Sequence, residues 1–154
     1  MSMDEGEVRE LVEVAVLANQ GRVREALAKL DQQEFHGPLE PAALLIRARL
    51  LEELDIEECW RTYTTGLEKF PANPAIPLRA GVLAYKRGDV AQAKQLLMRS
   101  WQLGPVPETA YYAGLINRVQ GNRERALEYF VQAVAMEGEG GFWRKQSQQD
   151  LQSN

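Results

Sequence analysis

Cysteine and histidine are almost absent: the 154 residues include one of each, Cys59 and His36. A single cysteine excludes an intrachain disulfide, and the pair falls short of a Cys/His zinc site. Long apolar runs are missing too, and none approaches the roughly 18 to 20 residues that span a membrane. The opening Met1-Ser2-Met3-Asp4-Glu5 is acidic where a secretory leader is basic and then apolar. These features point to a cytoplasmic protein without membrane association. Nor is there a basic excess. The formal net charge is −4, which argues against a general nucleic-acid binder with a phosphate-neutralising face.

The residues that catalysis needs are equally sparse. His36 precedes Gly37-Pro38 in a turn, with no evident nucleophile or acid to work with. Cys59 sits among helix formers at a small-residue position, which makes it a core thiol. The acidic run Glu52 to Glu58 lacks the alternating ligand spacing of a calcium loop. Gly138-Glu139-Gly140-Gly141 lacks the Lys-Ser/Thr of a phosphate-binding loop. The reading is a non-enzyme that needs no metal or cofactor.

What the chain does have is a repeat. Four segments align on a small residue after a turn: Gly21 to Ala26, Asp55 to Cys59, Gly88 to Ala93 and Gly121 to Ala126. The small residues Ala26, Cys59, Ala93 and Ala126 are 33, 34 and 33 apart. A bulky residue follows each by four positions: Leu30, Tyr63, Leu97 and Phe130. Pro38, Pro71 and Pro105 follow the first three by twelve, and the fourth has Gly138 there. Such a period marks a stacked array of supersecondary units.

Each unit reads as two amphipathic helices. Leu11, Val14, Ala15 and Ala18 fall on one face of a 3.6-residue period, as do Leu44, Ala48 and Leu51. Gly21, Gly88 and Gly121 suit left-handed C-terminal caps, and Asp55, Asp89 and Asn122 suit N-caps. Pro41, Pro74 and Pro107 suit first turns. The predicted helices are about 7–19, 22–35, 41–53, 56–69, 74–86, 90–103, 107–120 and 123–136. Ala15, Ala48, Gly81 and Gly114 are expected to let the paired helices approach closely.

Ala113-Gly114 with Ala126-x₃-Phe130, and Ala80-Gly81 with Gly88-Asp89, Ala93-x₃-Leu97 and Pro105, carry a family resemblance. The chain resembles the tetratricopeptide repeat family over roughly residues 7 to 140, most closely in the third and fourth repeats. The second repeat lacks the turn glycine and has Cys59 for alanine, and the first lacks the family's aromatics. The resemblance implies an all-α, right-handed superhelical solenoid of four helix-turn-helix repeats, about 7–39, 40–73, 74–106 and 107–140. Residues 141–154 then form either a ninth, capping helix, with Phe142 and Trp143 covering the apolar end, or a frayed tail.

The resemblance also implies that the first helix of each repeat lines a concave groove for a partner segment. Helical phase puts Arg9, Val12, Val16 and Asn19 there in the first repeat, and Ala42, Leu45, Arg49 and Glu52 in the second. The third offers Leu78, Arg79, Val82, Tyr85 and Lys86. The fourth offers Glu108, Tyr111, Tyr112, Leu115, Arg118 and Val119. The expected partner-binding set is Arg49, Leu78, Arg79, Val82, Tyr85, Lys86, Tyr111, Tyr112, Leu115 and Arg118. Tyrosine and arginine favour binding hot spots, and arginine grips carboxylates with paired hydrogen bonds. A peptide with acidic or C-terminal carboxylate character fits this set. The competing reading packs the tyrosines between repeats and leaves the arginines to solvent.

An adaptor or scaffold that recruits a protein or peptide segment is the leading function. A cytoplasmic chaperone of secreted substrates, in the same repeat class, is the alternative. Trp60 and Trp101 each follow or close a second helix; Trp101, beside Leu103 near its helix end, is placed to plug a junction between repeats, whereas an exposed tryptophan marks a second binding or homodimer surface.

Overall fold

The computed structural model describes residues 4–137 and 140–153, so Gly138 and Glu139, where the fourth repeat departs from proline, lie outside the described residues. The described residues form helices and no strand, in two compact units, Met1–Pro71 and Ala72–Asn154.

The first unit holds α1 (Glu5–Asn19), α2 (Val23–Asp31), α3 (Leu39–Leu54) and α4 (Ile56–Lys69). Its core joins Leu11, Val14, Ala26, Leu30, Phe35, Leu39 and Leu50. The second unit holds α5 (Ala75–Lys86), α6 (Val90–Leu103), α7 (Pro107–Val119), α8 (Arg123–Met136) and α9 (Phe142–Gln152). In each unit the helices pack as consecutive hairpins.

Local chemistry sets the turns. Gly21, Gly88 and Gly121 have φ of 77°, 82° and 82°, backbone that an L side chain strains to adopt. Each closes a double cap of its helix. At Gly121, its own N–H donates to the Arg118 carbonyl at 3.0 Å, and the Asn122 N–H to the Asn117 carbonyl at 2.8 Å. Asn122 then starts the next helix, its side chain accepting from the Arg125 N–H. Asp89 does the same for α6, and Asp55 caps α4 directly after α3 without a glycine.

Three expectations change. The second helix stops at Asp31, not residue 35, because a carboxylate from α1 takes over the chain that follows. Glu7, itself buried, accepts the His36 N–H at 2.6 Å, and Phe35 turns into the core. Ala15 is exposed, and Val14 fills the close-approach slot at 0% exposure. The reason is the missing turn residue in the second hairpin. Val14 lies twelve residues before Ala26, as Gly81 before Ala93 and Gly114 before Ala126, whereas Ala48 lies eleven before Cys59. Counting back thirty-three from Ala48 therefore stops one residue short, at Ala15 instead of Val14. Thirdly, the tail is a helix, but Trp143 alone is tucked in, while Phe142 stays 60% exposed.

The other small slots behave as expected. A Cβ on Gly81 would stand 2.9 Å from Leu97 Cγ, and one on Gly114 would stand 2.6 Å from Phe130 Cε1. Ala48, Cys59, Ala93 and Ala126 are buried.

Candidate functional site

The residues that sequence marked for binding do not share one environment. Arg49 belongs to the first unit, is exposed, and makes no ion pair among the described residues. Arg9, Val12, Val16 and Asn19, phased on Ala15, are all exposed on α1. In the second unit Leu78, Val82 and Leu115 are buried, at 6%, 6% and 9% exposure. Their phase turns them toward packing, so they back the surface and are not presented on it. Lys86 is exposed at the end of α5.

The tyrosines and arginines of α5 and α7 do come together. Tyr85 meets Tyr112 edge-on with ring centroids 6.1 Å apart, and Tyr112 meets Tyr111 at 5.4 Å. Both α7 tyrosines reach Trp143 of α9, at 5.3 Å and 5.6 Å. Leu115, Ala126 and Phe130 form the floor, with Leu151 of α9 packed against it. Edge-to-face and tilted rings at such distances add specific attraction to buried area.

Both α5 and α7 arginines in this region already hold carboxylates. Arg79 pairs with Glu108 in the first turn of α7. Arg118 donates from Nη1 to Asp150 Oδ1 of α9 at 2.7 Å, with its guanidinium 5.6 Å from the Phe130 ring centroid. Both arginines keep a solvent-facing side, at 37% and 36% side-chain exposure, and the tyrosines pack between α5, α7 and α9. Burial first, and then the Asp150 carboxylate, push the Tyr111 hydroxyl up to about 12. Burial and then Glu108 also raise Tyr112, against the opposing pull of Arg79.

Sequence reading placed Trp143 against the apolar end of the last repeat but missed the rest of this inner side: Ser147, Asp150 and Leu151. A signal was present. Ser147 stands thirty-three residues after Gly114, so the period runs on into the tail. Ser147 is fully buried, and its hydroxyl has no hydrogen-bond partner among the described residues; the same is true of Thr109 on α7.

The first unit has a cleft of about 680 Å³ between α2, α3 and α4, floored by Leu30, Phe35, Ala43 and Leu44. Its cations are each matched from within: Arg47 with Asp31, Lys69 with Glu40, Arg61 with Glu58. His36, at one edge, is exposed beside Glu7. Cys59 is buried. Trp101 lies edge-on to Tyr129 of α8 at 6.0 Å, plugging the α6–α8 junction. Among the described residues no group of three His, Cys, Asp or Glu could hold a metal ion, and no helix is long and apolar enough to cross a membrane.

No family model matches this chain. No curated protein matches it in sequence. Solved structures do match in fold. The chain is similar to a MamA fragment from Desulfovibrio magneticus RS-1, with a TM-score of 0.70 at 18% identity over 99% of this chain and 94% of that one. A tetratricopeptide repeat protein from Parabacteroides merdae gives 0.72 at 17% identity, over 94% of this chain and 58% of that one. YrrB, described as a tetratricopeptide repeat protein with an unusual peptide-binding site, gives 0.68 at 14% identity, over 93% and 74%. The fold is the α-solenoid fold of the tetratricopeptide repeat proteins.

Proposed function

We propose that the chain is a protein-interaction module, an adaptor that recruits a segment of another protein to the first helices of its hairpins. The observation that carries this reading is the tyrosine–arginine face of α5 and α7. There Tyr85, Tyr112 and Tyr111 meet edge-to-face beside Arg79 and Arg118, two cations that hold the chain's own carboxylates, Glu108 and Asp150, and so mark where a partner's carboxylates would dock. Leu78, Val82 and Leu115 stiffen this face from behind, and Lys86 adds charge at its rim. A segment offering carboxylates and an apolar or aromatic anchor is the complement. Arg49 offers a separate cationic contact on the first unit. A peptide-binding site in a protein of the same fold, YrrB, agrees with this reading.

Affinity capture from native cell extract tests it, with wild-type chain against Arg49→Glu, Arg79→Glu and the double variant. The double variant should lose a partner that the wild type retains, with far-ultraviolet helicity unchanged. Equal capture by all four proteins would remove this surface from the reading.

A further inference from the structure

The tyrosine–arginine face is not empty: a helix of the chain itself lies on it. α9 places four side chains on one side at i, i+4, i+7 and i+8, namely Trp143, Ser147, Asp150 and Leu151. Trp143 packs on Tyr111 and Tyr112, Asp150 pairs with Arg118, and Leu151 enters the Leu115–Phe130 cluster. Its other side, with Lys145, Gln148, Gln149 and Gln152, is exposed. This is a helix-in-surface recognition mode, with anchors at helical spacing.

Little apart from that seat holds α9 as a helix. It has 11 residues, no side-chain N-cap at Gly141, no acid in its first turn and no base in its last. Isolated helices shorter than about 12 to 15 residues are marginal in water. Its start is tied by Glu137, whose carboxylate accepts the Arg144 N–H at 2.6 Å. Ser147 brings into the seat a hydroxyl with no partner among the described residues, a cost that an alanine or glycine at that position avoids. The helix that supplies the contacts is thus a poorly capped one, and its seat contributes most of what keeps it helical.

We propose that the α7–α8 face is a docking site for an amphipathic helix of a partner protein, carrying an aromatic residue, a small residue four positions on, a carboxylate three further and a leucine next to it, and that α9 occupies the site until such a helix displaces it. This rests on the reading of the chain as a protein-interaction module, and it names the partner segment as helical. The partner's affinity is then lowered by the fraction of time the face is free.

The test uses the full chain and a fluorescein-labelled peptide of residues 142–152, followed by anisotropy. Trp143→Ala with Leu151→Ala unseats α9 without touching α7 or α8. That variant should bind the peptide at least about tenfold more tightly than the unaltered chain, in which the tethered helix competes at high effective concentration. Adding Arg118→Glu should abolish the gain. A variant that keeps the helicity of α1 to α8 and binds no better than the unaltered chain overturns the proposal. If the double variant does not fold, hydrogen exchange on the unaltered chain decides. Amides of α9 exchanging about tenfold or more faster than those of α7 support a displaceable helix, and equal protection overturns it. Loss of peptide binding in trans sinks the helical site alone. The adaptor reading stands or falls separately, on capture by the arginine variants.

Discussion

Gly114 has no room for a methyl group. A Cβ there would lie 2.6 Å and 2.7 Å from two carbons of the fully buried Phe130 ring. Overpacking of this kind costs about 1 to 3 kcal/mol, so Gly114→Ala should lower the urea midpoint clearly. Gly121→Ala is a useful contrast, since nothing lies within 4 Å of its Cβ position but φ is 82°. Its penalty is backbone strain alone, about 1 kcal/mol. Ala126, 1% exposed against Leu115 and Phe130, has no exit for a long charged chain. Ala126→Arg should remove the cooperative transition altogether, because it adds both a clash and an unpaired buried charge. An ordinary melting curve for that variant would mean that Ala126 does not face its partner helix.

At the scale of the helix, ends were legible where a local rule fixes them and obscure where a distant residue does. Asp55, Asp89 and Asn122 cap as their residue types dictate, and Asp89→Ala should cost about 1 kcal/mol in a denaturant titration. The end of α2 was misread because Glu7, twenty-nine residues earlier, takes the His36 N–H. No window on α2 contains that information. The seat of α9 lies between these cases. The thirty-three-residue step from Gly114 to Ser147 is visible in the sequence, but the Arg118–Asp150 pair and the Trp143 stacking are tertiary. Of the expected site, the tyrosine–arginine association was readable from helical phase. The burial of Leu78, Val82 and Leu115 was not, because one helix face serves both packing and display. The seat also makes a pH prediction. Tyr111 holds its proton more tightly when folded, to about 12, chiefly through burial and then Asp150. The folded chain therefore binds more protons than the unfolded one above about pH 10, and stability falls as pH rises from there toward 12. Thermal melts across that window should show this decline, and Tyr111→Phe should make it shallower, the raised Tyr112 leaving a remainder. An identical slope in the variant would assign the decline to other groups.

Across the whole molecule, the packing pattern sets an expectation for folding. Within each unit the contacting helices are next to each other in the chain or next but one: α1 with α2 and α3, α5 with α6 and α7, α7 with α8 and α9. No strand pairing among the described residues ties together distant parts of the chain. Within a unit, loop closure is then cheap at every step, since each new helix docks on one formed a few tens of residues before. Helical proteins with such local contacts fold in roughly microseconds to milliseconds, against up to seconds for sheet proteins of similar size. The main refolding phase in stopped-flow fluorescence, followed through Trp101 and Trp143, should be complete within about tens of milliseconds at low denaturant. Both probes matter. Trp101 reports the α6–α8 junction and Trp143 the seating of α9 on α7. If α9 docks only after its platform exists, single-tryptophan versions of the chain should show the Trp143 signal arriving no earlier than that of Trp101. A Trp143 phase that precedes Trp101 would mean that α9 helps to nucleate the fold, and a displaceable helix could not do that without unfolding what it leaves behind.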